Sequence, residues 1–175
     1  VLENGDATED AFVVGCDTVV SIVSGAQERI LGKPASEAEA RQMLGVLSGT
    51  SHRVISAVAV ARAGSPTRVE AEVSHVTFKK LEEADIDSYV QTGDPMDKAG
   101  AYAIQSEGYR LIESLRGDYL AAVGLPLRPL TQWLQSFGTE IPVDVENLYR
   151  KRSLWTWARF SECTVSRTST KSFRP

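Results

Sequence analysis

The chain has 175 residues, 42% of them hydrophobic, and a formal net charge of −4. That length suits one domain, or one domain with a tail. No apolar run approaches the ~18 residues of a membrane helix, and Glu3, Asp6, Glu9 and Asp10 make the opening too acidic for a signal peptide. Cys16 and Cys163 form no CxxC and lie far in sequence from His52 and His75, which argues against a zinc site or disulfide framework and for a reducing cytoplasm. The charge is unevenly spread. Residues 1–149 carry 12 Lys/Arg against 22 Asp/Glu, whereas residues 150–175 carry 7 against 1.

In chain order, residues 11–20 read as a buried strand, followed by a loop over 24–29 and the stretch Ile30-Leu31-Gly32-Lys33-Pro34. Ser36 and Glu39 make a capping-box pattern. Ala40, Met43, Leu44 and Leu47 then fall at helical spacing up to Gly49. Val54, Ser56, Val58 and Val60 alternate along a strand over 53–62. Ala63-Gly64-Ser65-Pro66 reads as a turn into a second strand over 69–78, so 53–78 is predicted to be a hairpin. A short helix over 83–91 is expected to end near Gly93, then two short strands at 101–105 and 109–115, then a last helix carrying Leu127, Leu130, Leu134 and Phe137 to Gly138. Helices mixed with an antiparallel hairpin predict an α/β or α+β domain with a mixed sheet flanked by helices. Residues 1–150 form that domain. Residues 151–175 are expected to be a disordered, basic, Ser/Thr-rich tail, with Trp155, Trp157 and Phe160 as docking aromatics.

Four polar residues stand out. Asp17 is a lone carboxylate expected at the end of an apolar strand, flanked by Gly15 and Thr18, which permit close approach of a ligand; a turn or cap aspartate is the plainer alternative. Lys33, held extended by Pro34, is a good phosphate contact or a solvated loop lysine. Gln105, expected on a strand, offers the donor and acceptor that suit a nucleobase edge, or simply faces solvent. His52 is read as a capping or hydrogen-bonding residue in preference to a general base, and His75 is given no role. No GxxxxGK[ST] or GxGxxG occurs. The acidic body argues against a duplex-binding surface.

Three blocks together resemble the Maf family of nucleoside triphosphate pyrophosphatases. The first is Cys16-Asp17-Thr18-Val19-Val20 with Ile30-Leu31-Gly32-Lys33-Pro34. The second is Met43-Leu44 with Leu47-Ser48-Gly49-Thr50-Ser51-His52-Arg53-Val54. The third is Tyr89-Val90-Gln91-Thr92-Gly93-Asp94-Pro95, Asp97 to Gln105, and Val123-Gly124-Leu125-Pro126-Leu127. The resemblance covers roughly residues 11–137 and implies a Maf-like (ITPase-like) fold. It also implies hydrolysis of a nucleoside triphosphate to the monophosphate and pyrophosphate with Mg²⁺ or Mn²⁺. Asp17 matches the family's catalytic aspartate, as base, metal ligand or both. Lys33 matches its phosphate-binding lysine. Thr18 and Gln105 match positions that track base preference, and as Thr and Gln they look like the dTTP/UTP subgroup. A homodimer and a cytoplasmic setting go with that reading, with no membrane partner and nucleic acid bound, if at all, through the basic tail.

The family's opening strand and its Ser-x-Ser-Pro-Arg-Arg loop have no counterpart in this sequence, so the fold is expected to lack both. Weaker triphosphate binding should follow, each lost charge-assisted contact being worth about 1.5–3 kcal/mol. Two rival readings remain: a nucleotide-binding remnant without turnover, and a scaffold whose tail binds nucleic acid or an acidic partner.

Overall fold

Alternation of buried and partly exposed side chains builds the sheet. In the computed structural model, which describes residues 11–150, strand β1 runs Phe12–Ser24, β2 Gln27–Leu31, β3 Ser51–Arg62, β4 Arg68–Phe78 and β5 Ile112–Arg116. The order across the sheet is β2-β1-β3-β4-β5, and every described pairing is antiparallel. The α/β class is therefore as expected, and among the described residues the sheet is antiparallel throughout. Along β3, His52, Val54, Ser56, Val58 and Val60 point inward while their neighbours stay partly exposed, the period of two that a strand imposes. Burying each of those valines contributes about 1.5–3 kcal/mol.

Helix α1, Glu37–Leu47, starts where Ser36 accepts the Glu39 N–H at 3.2 Å. Glu39 reaches back to the Ala35 N–H at 2.7 Å, one residue earlier than a capping box requires. Its Ala40, Met43, Leu44 and Leu47 face the core, as the spacing predicts. Helix α2, Glu83–Val90, carries the box instead, through Glu82 and Asp85. Three further helices follow β5: α3 Tyr119–Val123, α4 Leu127–Ser136 and α5 Val145–Arg150. Of these, α4 is the expected last helix; α3 and α5 go beyond the sequence reading.

Three other expectations change. The loop over 24–29 is a hairpin, because Gly25 at φ 61° turns β1 directly into β2. Residues 101–105 form no strand. Gly100 (φ 71°) and Ala101 (φ 61°) turn left-handed in succession, and the chain leaves a short 3-10 turn at Ala99–Ala101 through bends. The strand over 109–115 begins later, at Ile112, after a 3-10 turn over Glu107–Leu111. The first ten residues and the tail at 151–175, with the disorder expected of it, lie outside the described residues.

The interior is divided. One cluster joins α1 and α2 to the sheet through Val20, Leu44, Val54, Phe78 and Leu115. A smaller one gathers Val58, Val60 and Leu130 under Trp133, Leu134 and Phe137. Ser56 lies between them on β3, fully buried. The flank of β1 also changes along its length. β2 pairs with Val20–Ser24, so over residues 12–19 the side of β1 away from β3 has no strand beside it among the described residues.

Candidate active site

That uncovered flank opens into a cavity of about 320 Å³. Asp17, Thr18, Lys33 and Gln105 all line it, together with Cys16, Asp97 and Lys98. The four residues matched by the family resemblance, Asp17, Thr18, Lys33 and Gln105, therefore meet in one place, drawn from β1, the loop after β2 and the loop ahead of β5. Two are reached differently than expected. Asp17 stands within β1, paired opposite Ala57, and not at a strand end. It is exposed, and among the described residues no strand pairs with β1 on its outer flank there. Gln105 comes from the bent segment after the 3-10 turn, not from a strand.

Each side chain has a local reason for its position. The Asp17 carboxylate is exposed, and its Oδ1 accepts the Thr18 backbone N–H at 2.9 Å, which orients the group along the strand. Thr18 pairs opposite Ser56, and their hydroxyl oxygens are 2.8 Å apart. Lys33 stands between Gly32 and buried Pro34, and the Gly100 N–H donates to the Gly32 carbonyl at 3.0 Å, tying the lysine loop to the opposite wall.

That opposite wall is held by a small polar network. Tyr89 donates to Asp94 at 2.9 Å and accepts the Ala103 N–H at 3.1 Å, while Ser106 also donates to Asp94. Gly108 must be glycine, since a Cβ would stand 2.4 Å from the Ala103 carbonyl oxygen and 2.8 Å from the Tyr89 hydroxyl. Burial, first, and the neighbouring Asp94 push the Tyr89 phenol up, so it stays a neutral donor.

Asp97 and Lys98 were not chosen from the sequence. Their signal was a charged pair set between two glycines, Gly93 and Gly100. Lys98 pairs with Asp97 and holds its carboxyl below the usual carboxylate range, with Lys33 adding a weaker pull. The cavity thus presents two ammonium groups and two carboxylates, a surface suited to a polyanion accompanied by a cation.

His52 is absent from the cavity lining. It is 2% exposed, its Nε2 is 2.7 Å from the Tyr102 hydroxyl, and its ring meets Phe78 and Tyr102 edge-on. Burial lowers its pKa to about 4, so the ring is neutral at pH 7. The expected hydrogen-bonding role holds, with a buried tyrosine as the partner.

A family model described as Maf-like protein matches residues 2–137. The chain belongs to the Maf-like family. Curated relatives agree. This Maf-like chain is 50% identical over 131 residues to a protein of Symbiobacterium thermophilum named dTTP/UTP pyrophosphatase, an alignment covering 75% of this chain and 65% of that protein. A Halalkalibacterium halodurans protein of the same name is 46% identical over 130 residues, covering 74% and 66%. One from Pelotomaculum thermopropionicum is 48% identical over 134 residues, covering 76% and 68%. The Maf-like chain thus spans about two thirds of the length of these relatives, and just under that for the first two.

No described helix is long and apolar enough to cross a membrane. Among the described residues no group of three or more His, Cys, Asp or Glu side chains is placed to hold a metal ion. Asp17 and Asp97 are the carboxylates lining the cavity. Mg²⁺ is commonly held by one or two carboxylates together with substrate phosphates, keeping several waters. Among the described residues, Asp17 and Asp97 are the side chains that could hold such a cation.

Proposed function

We propose that this chain hydrolyses dTTP and UTP to the monophosphate and pyrophosphate, with Asp17, Thr18, Lys33 and Gln105 as its working residues. The observation that carries the reading is their convergence on one cavity from three separate segments. The names of the relatives supply the substrate class.

The chemistry follows from the groups present. A water oxygen bonds to the α-phosphorus, the bond from that phosphorus to the bridging oxygen breaks, and its electron pair leaves with pyrophosphate. Asp17 orients the water and takes its proton, or would hold a bound cation, which would supply positive charge beside that water. Lys33 and Lys98 offset the charge that grows on the leaving group. Gln105 and Thr18 contact the base. A bound Mg²⁺ or Mn²⁺ would neutralise phosphate charge beside Asp17 and Asp97. The reading carries a cytoplasmic setting, where nucleoside triphosphates are abundant, and a homodimer as the assembly to test by light scattering.

The test is pyrophosphate release from a panel of triphosphates with Mg²⁺. UTP and dTTP should lead. Asp17→Asn should lower kcat by at least roughly 100-fold, the range for loss of a positioned acid or base, and Lys33→Ala should raise KM. Unaltered release from Asp17→Asn would remove that residue from the chemistry, and no release from any triphosphate by the wild-type chain would reject the reading.

A further inference from the structure

The fully buried Ser56 hydroxyl is a polar group at an inward position of β3, between Val54 and Val58. It donates to the Ala121 carbonyl of α3 at 2.6 Å. That assignment is forced, because a carbonyl oxygen has no proton to give. A serine hydroxyl has one proton. With that proton committed to Ala121, the 2.8 Å contact between Ser56 Oγ and Thr18 Oγ1 must run the other way, with Thr18 donating. The chain of hydroxyls has one polarity: Thr18 to Ser56 to Ala121.

The consequence falls on the cavity. Thr18 lines it, and its own proton points back into the protein. What Thr18 Oγ1 offers a ligand is lone pairs. Gly124 (φ 128°) lines the same opening, and a Cβ there would stand in ordinary contact with Thr18 Oγ1 at 3.6 Å. The Gly124 N–H also bonds to the Ala121 carbonyl at 2.9 Å, so the group that fixes Ser56 fixes this opening as well.

We propose that Ser56 is a specificity-determining positioning residue: by consuming the Thr18 proton it makes Thr18 an acceptor, so that the cavity selects a pyrimidine carrying an imide N–H over one with a bare ring nitrogen at the same place. This rests on the pyrimidine nucleotide reading above. Uracil and thymine bear N3–H, which Thr18 accepts. Cytosine presents an N3 lone pair, which faces the Thr18 lone pairs with no proton between them. An acceptor left against an acceptor in a partly buried site is costly. Ser56 touches no ligand and acts through Thr18.

The test measures equilibrium binding of the non-hydrolysable α,β-imido analogues of UTP and CTP, with Mg²⁺, to wild type, Ser56→Ala, Ser56→Thr and Thr18→Val. Wild type should prefer the UTP analogue by roughly tenfold, the scale of one misdirected hydrogen bond. Ser56→Ala frees the Thr18 hydroxyl to rotate, so its preference should fall to about twofold, chiefly through tighter binding of the CTP analogue. Ser56→Thr restores the buried hydroxyl and should restore the preference. Thr18→Val should abolish it. A general loosening of the fold would weaken both analogues together and would not be rescued selectively. Preference unchanged in Ser56→Ala, no preference in wild type, or binding of neither analogue overturns the proposal. Pyrophosphate release by wild type, measured separately, decides the enzymatic reading whichever way the preference falls.

Discussion

Gly100 sits where the two walls of the cavity touch, and replacing it tests how the site is assembled. Its φ is 71°, a left-handed conformation that costs an alanine about 1–2 kcal/mol. An added Cβ would also lie 3.0 Å from Val20 Cγ1 and 3.2 Å from Val20 Cβ and Cγ2. Val20 cannot yield easily: it is β-branched, 3% exposed, and paired to Val54 and Leu31 on either side. Overpacking of this kind costs about 1–3 kcal/mol. Gly100→Ala should therefore lose about 2–5 kcal/mol in urea unfolding followed by tryptophan fluorescence.

Gly49→Ala is the control. It has a similar φ of 64°, but its Cβ would meet nothing closer than Lys80 Cα at 3.9 Å, so it should lose about 1–2 kcal/mol from backbone strain alone. Adding Val20→Ala to Gly100→Ala should show a coupling of about 1 kcal/mol or more, because the second change removes the methyl groups that obstruct the first. Equal losses in the two glycine variants, with no coupling to Val20, would refute the steric reasoning.

Cys16 lines the cavity and is exposed, but partial burial pushes its thiol up, so maleimide labelling in a Cys163→Ser background should be slow at pH 7, quicken toward pH 9, and be blocked by saturating UTP; labelling indifferent to UTP would place the nucleotide elsewhere. For His52 the folded pKa is about 4 against 6.5 for the free side chain, so between these values the unfolded chain binds the extra proton and stability falls with falling pH. About 2–3 kcal/mol should be lost between pH 7 and pH 4 from this group, and His52→Gln should flatten that part of the urea midpoint profile. Tyr89→Phe removes the donor to Asp94 and the acceptor for the Ala103 N–H, and should cost about 1–3 kcal/mol while raising KM for UTP through a looser Gln105 wall; an unchanged KM would detach that network from the site.

The long hairpin β3–β4 was legible because alternation survives wherever one face is buried, and α1 because its apolar side chains recur on one stripe. β2 was illegible for the complementary reason. It is an edge strand with four of its five residues exposed, so no periodicity marks it. The segment from Ala99 to Ser106 misled because small apolar residues with a tyrosine read as extended, while two successive left-handed residues and the contacts of Tyr89 and Asp94 decide its path. Asp17, Thr18, Lys33 and Gln105 could be named from sequence because the blocks that hold them resemble the Maf family; from their neighbours alone Asp17, Lys33 and Gln105 each kept a plainer alternative. Ser56 was visible as one member of an alternating row, but its role depends on the Ala121 carbonyl, 65 residues away.

The flank of β1 over residues 12–19, which no strand pairs among the described residues, has a bearing on solubility. An unpaired strand margin is a template on which another chain can add, and proteins blunt such margins with charge. Along residues 12–19 the ionisable side chains are Cys16 and Asp17, and Asp17 is the carboxylate. Among the described residues, then, the residue proposed for the chemistry is also the one carboxylate on that unpaired margin. Asp17→Asn would leave that edge uncharged, so the variant should self-associate more readily, and its lost turnover has to be read on the monodisperse fraction, with Asp17→Glu as the charged counterpart.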